Sequence, residues 1–468
     1  SVEHTQFHET RMTLGIHPFH FAWQLEPGET FTSPEAAMVF SARGLGYMSQ
    51  MFHKAIRLNL CRGPWKDARR PILINNWEAT LFQFDADKIY SIAQTASKVG
   101  VEMMVMDDGW FGQRNDDFGG LGDWNVNQDK LPGGLAPLAE RIKGLGMKFG
   151  IWVEPEMVNE NSDLYRAHPD WAFQVPGRPV TRGRYQLVLD LTRSEVKQYV
   201  LDNLRAMLRS ADISYVKWDM NRSLTDVWSA ALPAERQGEV YHRFVLAVYE
   251  ILEALHQEFP NLLIEGCSGG GGRFDCGMLY YTPQIWCSDN TDAMDRLRIQ
   301  YGTSFCYPCA SMGAHVSAVP NGLTHRSTPL RTRGVVAAAG TFGYELDLNE
   351  LTEEELKEVA SQIAAFRTYW DLVMRGDYYR LSDPFRQEES FCAWMHVSQD
   401  RSRALVGLVQ TQRHANPVRP LLRLKGLDPD RDYRIGGQIY GGDELMYAGL
   451  ALPFLDECEA VQYQIEAV

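Results

Sequence analysis

The sequence has no long apolar run and no excess of basic side chains, and these two absences exclude several classes of partner. A membrane-spanning helix needs about 18 consecutive apolar residues, and no such run occurs. The formal net charge is −14 at pH 7, so DNA, RNA and anionic lipid surfaces, which require a basic face, are poor partners. Neutral carbohydrates are unaffected by this charge. We therefore expect neither nucleic acid nor membrane as a partner.

Sequence motifs for metals and cofactors are also missing. The only close cysteine pair, Cys306-x-x-Cys309, has no second pair at the spacing of a zinc site. No His-Glu-x-x-His occurs, and the glycine run at 269–272 is not followed by the Gly-Lys-Ser/Thr of a phosphate loop. We expect no metal and no cofactor.

The start of the chain lacks the charged and apolar segments of a secretion signal, and its scattered cysteines suit a reducing compartment, so we predict a cytoplasmic protein. The first residue is not Met, which indicates a processed or partial chain. Strand-like segments at 19–25 and 37–40 are too few to form a core. We interpret residues 1–68 as the end of an N-terminal β-sandwich domain plus a linker.

Between residue 70 and about 370 the sequence alternates apolar runs with amphipathic segments, among them 193–210 and 239–258. One helix candidate begins at Asp85 and ends before Gly100, which are typical capping residues. Eight strands alternating with helices predict a (β/α)8 TIM barrel over 69–372. A doubly wound sheet is the alternative, but no Gly-x-Gly-x-x-Gly opens the first unit. The strand candidates are 71–77, 101–107, 148–154, 213–219, 261–267, 284–289, 315–319 and 335–344.

The pattern changes after residue 372, where short strand candidates replace the alternation. We predict a C-terminal antiparallel β-sandwich domain over 373–468, with a turn at Gly441-Gly442. Its strand candidates are 405–409, 422–424, 433–439 and 463–468.

Catalytic groups of a barrel lie at the carboxyl ends of its strands, and the end of the fourth strand is the most informative. With a period of two, Lys217, Asp219 and Asn221 point to the same side. The lysine favours the ionised carboxylate of Asp219 and lowers its pKa, which suits a nucleophile. A buried Lys–Asp pair that only stabilises the barrel is the alternative.

Glycoside hydrolysis usually needs a second carboxylic acid that keeps its proton. Asp289, at the tip of the sixth strand, has few cationic neighbours in sequence, and partial burial there would raise its pKa. Spacing alone leaves the choice open between Asp289 and five other carboxylates at strand ends: Asp107, Asp108, Glu154, Glu156 and Asp292.

Sugar sites combine aromatic faces with charged or amide groups that bind hydroxyls. The strand ends offer Trp77, Trp110 and Trp152, although core packing is the alternative for any single tryptophan. The side chains that could bind the sugar hydroxyls are Asp107, Asp108, Lys217 and Arg184.

The strand ends carry long motifs in a fixed order. They are Ile72-Leu-Ile-Asn-Asn-Trp-Glu, Met106-Asp-Asp-Gly-Trp-Phe-Gly, Ile151-Trp-Val-Glu-Pro-Glu-Met, Tyr215-Val-Lys-Trp-Asp-Met-Asn-Arg, Cys267-Ser-Gly-Gly-Gly-Gly-Arg-Phe-Asp and Ser288-Asp-Asn-Thr-Asp-Ala-Met-Asp-Arg. At these motifs the chain strongly resembles bacterial α-galactosidases of glycoside hydrolase family 36. The resemblance covers most of the chain.

The resemblance implies that Asp219 is the nucleophile and Asp289 the acid/base of a retaining exo-glycosidase acting on terminal α-galactose, as in raffinose or melibiose. It also implies a cytoplasmic bacterial enzyme and a possible homo-oligomer, since many family members are tetramers with a large N-terminal domain. The substrate-binding residues implied are Trp77, Asp107, Asp108, Trp152, Arg184, Lys217, Asn221, Cys267 and Gly270.

A retaining enzyme should hold its two carboxyl groups about 5–5.5 Å apart. Two relatives on the same scaffold stay open, an α-N-acetylgalactosaminidase and an α-galactosyl transferase. A metal-dependent barrel enzyme using Asp107, Asp108 and Glu154 and a sugar-binding barrel without activity are the remaining alternatives.

Overall fold

The computed structural model describes residues 1–386, 390–416 and 419–468. Eight parallel strands close into a barrel in the order β10-β11-β12-β3-β4-β5-β8-β9, with β9 pairing back onto β10. The predicted (β/α)8 barrel is therefore confirmed. Its strands are β3 (Leu73–Asn75), β4 (Met103–Met106), β5 (Lys148–Val153), β8 (Ile213–Trp218), β9 (Leu263–Gly266), β10 (Gln284–Trp286), β11 (Met312–Ser317) and β12 (Thr341–Glu345).

The barrel strands are almost completely buried because helices cover their outer faces and side chains fill the interior. The helix after β3 shows why the chain turns where it does. The Asp85 side chain accepts a hydrogen bond from the Lys88 amide at the first turn, and Gly100 ends the helix with a left-handed φ of 98°. Both capping predictions are confirmed.

The α-helices are α1 (Gly44–Ala55), α2 (Trp77–Thr80), α3 (Ala86–Val99), α4 (Leu135–Gly144), α5 (Asp163–Ala167), α6 (Ser194–Ser210), α7 (Val240–Glu258), α8 (Cys276–Tyr281), α9 (Ala293–Thr303), α10 (Leu330–Ala337) and α11 (Glu353–Arg375). Short 3₁₀ or π turns cover Ile56–Leu60, Pro64–Lys66, Pro169–Trp171, Ala234–Glu239, Cys309–Ser311, Leu348–Glu350 and Glu444–Ala448. A small hairpin, β6 (Met157–Asn159) with β7 (Gln186–Val188), extends the chain beyond β5.

The eighth predicted strand is wrong in its first half. Residues 330–337 form α10, and β12 begins only at Thr341. After this helix the chain passes so close to β11 that a Cβ at Gly340 would lie 2.5 Å from the Met312 carbonyl. A run of small apolar residues fits a buried helix as well as a buried strand.

Residues after α11 form the predicted antiparallel domain. Six strands pair in the order β13-β14-β15-β20-β17-β18, and β16 pairs with β19 in a second small sheet. Its core shares residues with the barrel, because Trp394 and Leu405 pack into the main hydrophobic cluster. The strands are β13 (Asp377–Arg380), β14 (Phe391–Val397), β15 (Arg403–Gln410), β16 (Leu421–Leu422), β17 (Asp432–Ile435), β18 (Gln438–Gly441), β19 (Leu450–Ala451) and β20 (Ala460–Ala467).

The turn predicted at Gly441-Gly442 is wrong. The predicted strand 433–439 is a hairpin of β17 and β18, and its turn lies at Gly436 and Gly437. Both glycines have positive φ values, 56° and 89°, which tight hairpin turns require.

The first 43 residues contain one hairpin, β1 (Val2–His4) with β2 (Thr10–Met12), and are mostly exposed. The strands predicted at 19–25 and 37–40 are wrong. Here the backbone bonds to the barrel surface instead of a partner strand: Ala22 N donates to Gly238 O at 3.1 Å. Within the described residues no helix is long and apolar enough to cross a membrane.

Candidate active site

A cavity of about 490 Å³ opens at the carboxyl ends of the barrel strands. It brings together nine of the eleven site residues predicted from the sequence, which are Trp77, Asp107, Asp108, Trp152, Arg184, Lys217, Asp219, Asn221 and Asp289. Groups that were far apart in the chain therefore meet in one concave site, as a barrel requires.

Asp219 follows β8 and is 5% exposed. Its Oδ1 accepts hydrogen bonds from Met220 N at 2.8 Å and Gly269 N at 3.3 Å. Its Oδ2 accepts from Asn221 Nδ2 at 2.7 Å and Trp152 Nε1 at 3.2 Å. These donors stabilise the ionised carboxylate.

Burial would raise the pKa of Asp219, but the positive charge of Lys217 and the surrounding hydrogen bonds, one of them from the Cys267 thiol, lower it below its usual value of 3.8. The carboxylate is therefore charged at neutral pH. This is the direction expected from the sequence, and it suits a nucleophile.

Asp289 shows the opposite behaviour. It follows β10, reaches solvent at the cavity mouth and accepts a hydrogen bond from Trp286 Nε1 at 3.1 Å. The cavity walls partly exclude water from its carboxyl, and this desolvation, together with the negative charge of Asp219, raises its pKa. The cavity therefore holds two aspartates whose pKa values are displaced in opposite directions, the arrangement expected of an ionised group and a proton donor.

The carboxylates Asp107 and Asp108 follow β4 and are each bound to a cation. Lys217 Nζ lies 2.9 Å from Asp107 Oδ2, and both side chains are buried. Arg114 NH2 lies 2.8 Å from Asp108 Oδ2 and is itself fully buried. Each aspartate thus has a positive charge beside it at the barrel rim, and Arg114 opposes the rise in the pKa of Asp108 that burial causes. Carboxylate oxygens at this rim can accept hydrogen bonds from sugar hydroxyls.

The three predicted tryptophans divide between cavity and core. Trp77 and Trp152 line the cavity. Trp110 does not: it is fully buried, donates from Nε1 to the Trp152 carbonyl and packs against Phe111. For Trp110 the core alternative is correct, since its strand-end position is covered by the loop that follows.

Arg184 and Asn221 reach the cavity from different directions. Asn221 ends the β8 segment and donates to Asp219. Arg184 lies in the loop of the β6–β7 hairpin, at a left-handed φ of 49°, and its Nε donates to Asp117 Oδ1 at 3.2 Å. A non-glycine residue in this conformation is uncommon and often lies at a functional site.

Cys267 and Gly270 lie just behind the cavity wall and not among the residues that line it. Cys267 is buried against Asp219. At Gly270 the φ is 84°, and a Cβ would lie 2.8 Å from the Asp289 backbone nitrogen. Cys267 is therefore a direct neighbour of Asp219, and Gly270 is a direct neighbour of the Asp289 backbone.

Several cavity residues were missed by the sequence reasoning, above all Glu78 and Glu345. Glu345 ends β12, and its Oε2 lies 3.0 Å from His315 Nδ1. Burial raises its pKa to about 7 against the opposing effect of Lys217. Burial and the charge of Glu345 also raise the pKa of Glu78 to about 7. Their common signal was a carboxylate at a strand end, the criterion already applied to Asp107.

The carboxylates proposed for a metal site have other partners. Asp107 and Asp108 are bound to Lys217 and Arg114. Glu154 accepts from Gln186 Nε2 at 3.0 Å and from Asn221 Nδ2 at 3.2 Å. In the described part of the chain, no group of three or more His, Cys, Asp or Glu side chains is placed to hold an ion. The donor set does not favour the metal-dependent alternative.

A closed parallel barrel whose tryptophan-lined cavity holds two aspartates with pKa values displaced in opposite directions is the arrangement expected of a glycoside hydrolase. Comparison with known families specifies which one. Residues 30–376 match the family model described as Melibiase, and residues 391–465 match the glycosyl hydrolase family 36 C-terminal domain. The chain belongs to the melibiase family, with a family 36 C-terminal domain.

The relatives are similar over almost the whole chain. Alpha-galactosidase AgaA of Geobacillus stearothermophilus is 54% identical over 454 residues, covering 97% of this chain and 62% of that protein. The bifunctional alpha-galactosidase/sucrose kinase AgaSK of Mediterraneibacter gnavus is 52% identical, covering 98% of this chain and 49% of that protein.

A solved structure agrees equally well. The crystal structure of a doubly substituted GH36 alpha-galactosidase AgaA from Geobacillus stearothermophilus in complex with raffinose superposes with a TM-score of 0.98 at 52% identity. The match covers 100% of this chain and 65% of that one. The chain thus spans about half to two thirds of the length of the proteins it matches.

Proposed function

We propose that this chain carries the catalytic barrel of a retaining α-galactosidase that releases terminal α-linked galactose from galacto-oligosaccharides of the raffinose type. The observation that carries the proposal is the pair of aspartates in one cavity, with the pKa of Asp219 lowered and that of Asp289 raised. Family membership, the names of the relatives and the raffinose bound to one of them support the choice of sugar.

In the proposed mechanism Asp219 attacks the anomeric carbon while Asp289 donates its proton to the departing glycosidic oxygen. The bond to the leaving sugar breaks, and a covalent galactosyl–enzyme ester forms at Asp219. Asp289, now ionised, takes a proton from water, and the resulting hydroxide equivalent displaces Asp219 from the anomeric carbon. Two inversions retain the configuration of galactose.

The remaining polar groups would bind galactose hydroxyls. Asp107 and Asp108, paired with Lys217 and Arg114, accept hydrogen bonds from hydroxyls distant from the scissile bond. Lys217 has donors left for a second hydroxyl, because an ammonium group carries three.

Further contacts complete the proposed sugar site. Trp77 and Trp152 would flank the apolar face of the ring, and Arg184 and Asn221 would bind hydroxyls from the rim. Cys267 and Gly270 would border the 2-position, where they determine the room left for a substituent.

The test is a substrate panel of raffinose, an aryl α-galactoside, an aryl α-N-acetylgalactosaminide and an aryl β-galactoside, with the first product anomer followed by NMR. Turnover of both α-galactosides with α-galactose as first product is expected. β-Galactose as first product would indicate inversion, and preferential turnover of the N-acetylgalactosaminide would overturn the sugar assignment.

We also propose a cytoplasmic bacterial location and a homo-oligomer. All eight cysteines are free thiols, which suits a reducing compartment. Cell fractionation and analytical ultracentrifugation test these two points.

A further inference from the structure

Glu78 lies at the beginning of α2, directly after barrel strand β3, and its carboxyl group faces the loops that follow β10 and β11. Glu78 Oε1 accepts a hydrogen bond from the Thr291 hydroxyl at 2.5 Å. Glu78 Oε2 accepts one from the Ala318 backbone amide at 3.1 Å. One side chain thus connects three strand ends of the barrel.

These contacts reach the segment that carries Asp289. Thr291 is two residues beyond Asp289, and its hydroxyl also accepts from Asn321 Nδ2 at 2.9 Å. In the barrel, β3 is three strands away from β10, with β12 and β11 between them. The connection therefore crosses three of the eight strand intervals of the barrel rim and is not a local turn contact.

The two aspartates proposed as catalytic differ in how much their positions depend on contacts from other parts of the barrel. Asp219 continues a barrel strand, since its amide donates to the Val153 carbonyl at 2.8 Å, and it accepts hydrogen bonds from five groups. Asp289 lies on a loop and accepts a hydrogen bond from Trp286. The position of its carboxyl is therefore determined mainly by the position of the loop.

Arg296 holds the same loop from the α9 side, where it donates to the Ser288 carbonyl at 2.6 Å and the Asn290 carbonyl at 2.8 Å. Glu78 holds it from the opposite direction, through Thr291. Two anchors on different sides restrict the loop more than either alone.

We propose that Glu78 is a positioning residue, which ties the end of β3 to the loop after β10 and so holds Asp289 at the correct distance from the scissile bond. This inference rests on the proposed function for the role of Asp289. It assigns to Glu78 a contribution to protonation of the leaving group, not to binding of galactose.

The matched variants are Glu78→Ala, Glu78→Gln and Thr291→Val. Alanine removes both ties. Glutamine keeps an acceptor for the Ala318 amide and an amide group for the Thr291 hydroxyl, so it should restore most of the lost activity. Thr291→Val removes the same tie from the loop side. Glu354→Gln, on the exposed surface of α11, is the control for the chemical change.

Two α-galactosides separate positioning from general damage. Raffinose has a sugar leaving group that needs a proton, whereas a 2,4-dinitrophenyl α-galactoside leaves without one. For Glu78→Ala we expect kcat/KM on raffinose to fall about 10²-fold, since misplacement of about 1 Å can have this effect, and roughly threefold or less on the dinitrophenyl substrate. Equal losses on both substrates would overturn the proposal, because they would indicate a sugar contact or a damaged fold.

Hydrogen–deuterium exchange tests the contact between Glu78 and the loop after β10 independently of any activity measurement. The backbone amides of residues 288–292 should exchange faster in Glu78→Ala and Thr291→Val than in the unsubstituted chain and in Glu354→Gln. Unchanged exchange would overturn the proposal. An unsubstituted chain that hydrolyses neither substrate would instead contradict the proposed function, and exchange would still decide the role of Glu78.

Discussion

The two sides of the cavity are built from the same kind of side chain but in different ways. On the β8 side, Asp219 is buried in the strand framework beside Lys217, which favours its charge. On the β10 side, Asp289 lies on a loop, reaches solvent and has a raised pKa. The comparison teaches that position in the barrel, and not residue type, decides which aspartate has a lowered pKa and which a raised one.

The largest expected effect comes from the framework side. Asp219→Asn removes the nucleophile with little change in shape, and kcat should fall by at least about 10⁴-fold. Steady-state kinetics on an aryl α-galactoside measure this, with circular dichroism as the check on folding. Asp212→Asn, an exposed exchange of the same type, should leave the rate unchanged. Substantial turnover by Asp219→Asn would refute its role.

Substitution on the loop side should give a smaller and more selective loss. Asp289→Asn should lower kcat/KM on raffinose by about 10²–10⁴-fold and much less on a dinitrophenyl substrate, with added azide accelerating the latter. Because the pKa of Asp289 is raised, the unsubstituted chain should lose activity as pH rises through that pKa, and the variant should lack this alkaline limb. An alkaline limb that persists in Asp289→Asn belongs to another group.

The positive charge of Lys217, which lowers the pKa of Asp219 on the β8 side of the cavity, can be removed by substitution. Lys217→Met leaves Asp107 buried without its cation, and we expect the free energy of unfolding to fall by about 3–5 kcal/mol. Denaturant titration followed by tryptophan fluorescence measures the change. Lys143→Met, which breaks an exposed ion pair with Asp212, should have no measurable effect. Equal free energies of unfolding for the two variants would show that the buried Lys217–Asp107 pair contributes no more to stability than the exposed pair.

The smallest effect should come from moving the loop without changing a polar group. In Gly270→Ala the new Cβ would lie 2.8 Å from the Asp289 backbone nitrogen, and kcat/KM should fall roughly 10-fold to 10²-fold as Asp289 shifts. Gly134→Ala carries a similar positive φ, 91°, but meets nothing within 4 Å. It should affect stability alone, so a rate loss in both variants would argue against a displaced Asp289.

Much of this architecture could be predicted from the sequence because buried parallel strands have nearly continuous apolar sequences. The polar residues that follow these apolar runs include Asp107, Asp219 and Asp289, which made them candidates for the site. Glu78 and Glu345 carried the same strand-end signal, but their proximity to each other depends on the pairing of β12 with β3 that closes the barrel. That pairing joins residues about 270 positions apart, and no local pattern records it.

The failures have equally physical reasons. The apolar run at 335–344 satisfied both helix and strand patterns, and the chain divides it between α10, which ends at Ala337, and β12, which begins at Thr341. Arg114 carried no signal, since a loop arginine becomes recognisable only when it lies fully buried against Asp108. The strands predicted at 19–25 and 37–40 are wrong because a strand-like sequence forms a strand only where a partner strand can pair with it.

Three glutamates around the cavity have a further consequence for the molecule as a whole. Their pKa values rise from 4.5 to about 7 at Glu78 and Glu345 and to about 8 at Glu154, largely through burial. At these glutamates the native state therefore retains protons that the unfolded chain has released. Below about pH 6.5 the buried histidines His53, His315 and His396 act in the opposite sense, because burial lowers their pKa values to about 4, 3 and 3 and only the unfolded chain binds their protons. Above pH 6.5 the glutamates dominate and the free energy of unfolding should decrease as pH rises, so urea titrations at pH 6.5 and pH 8 should find the folded barrel more stable in the more acidic buffer.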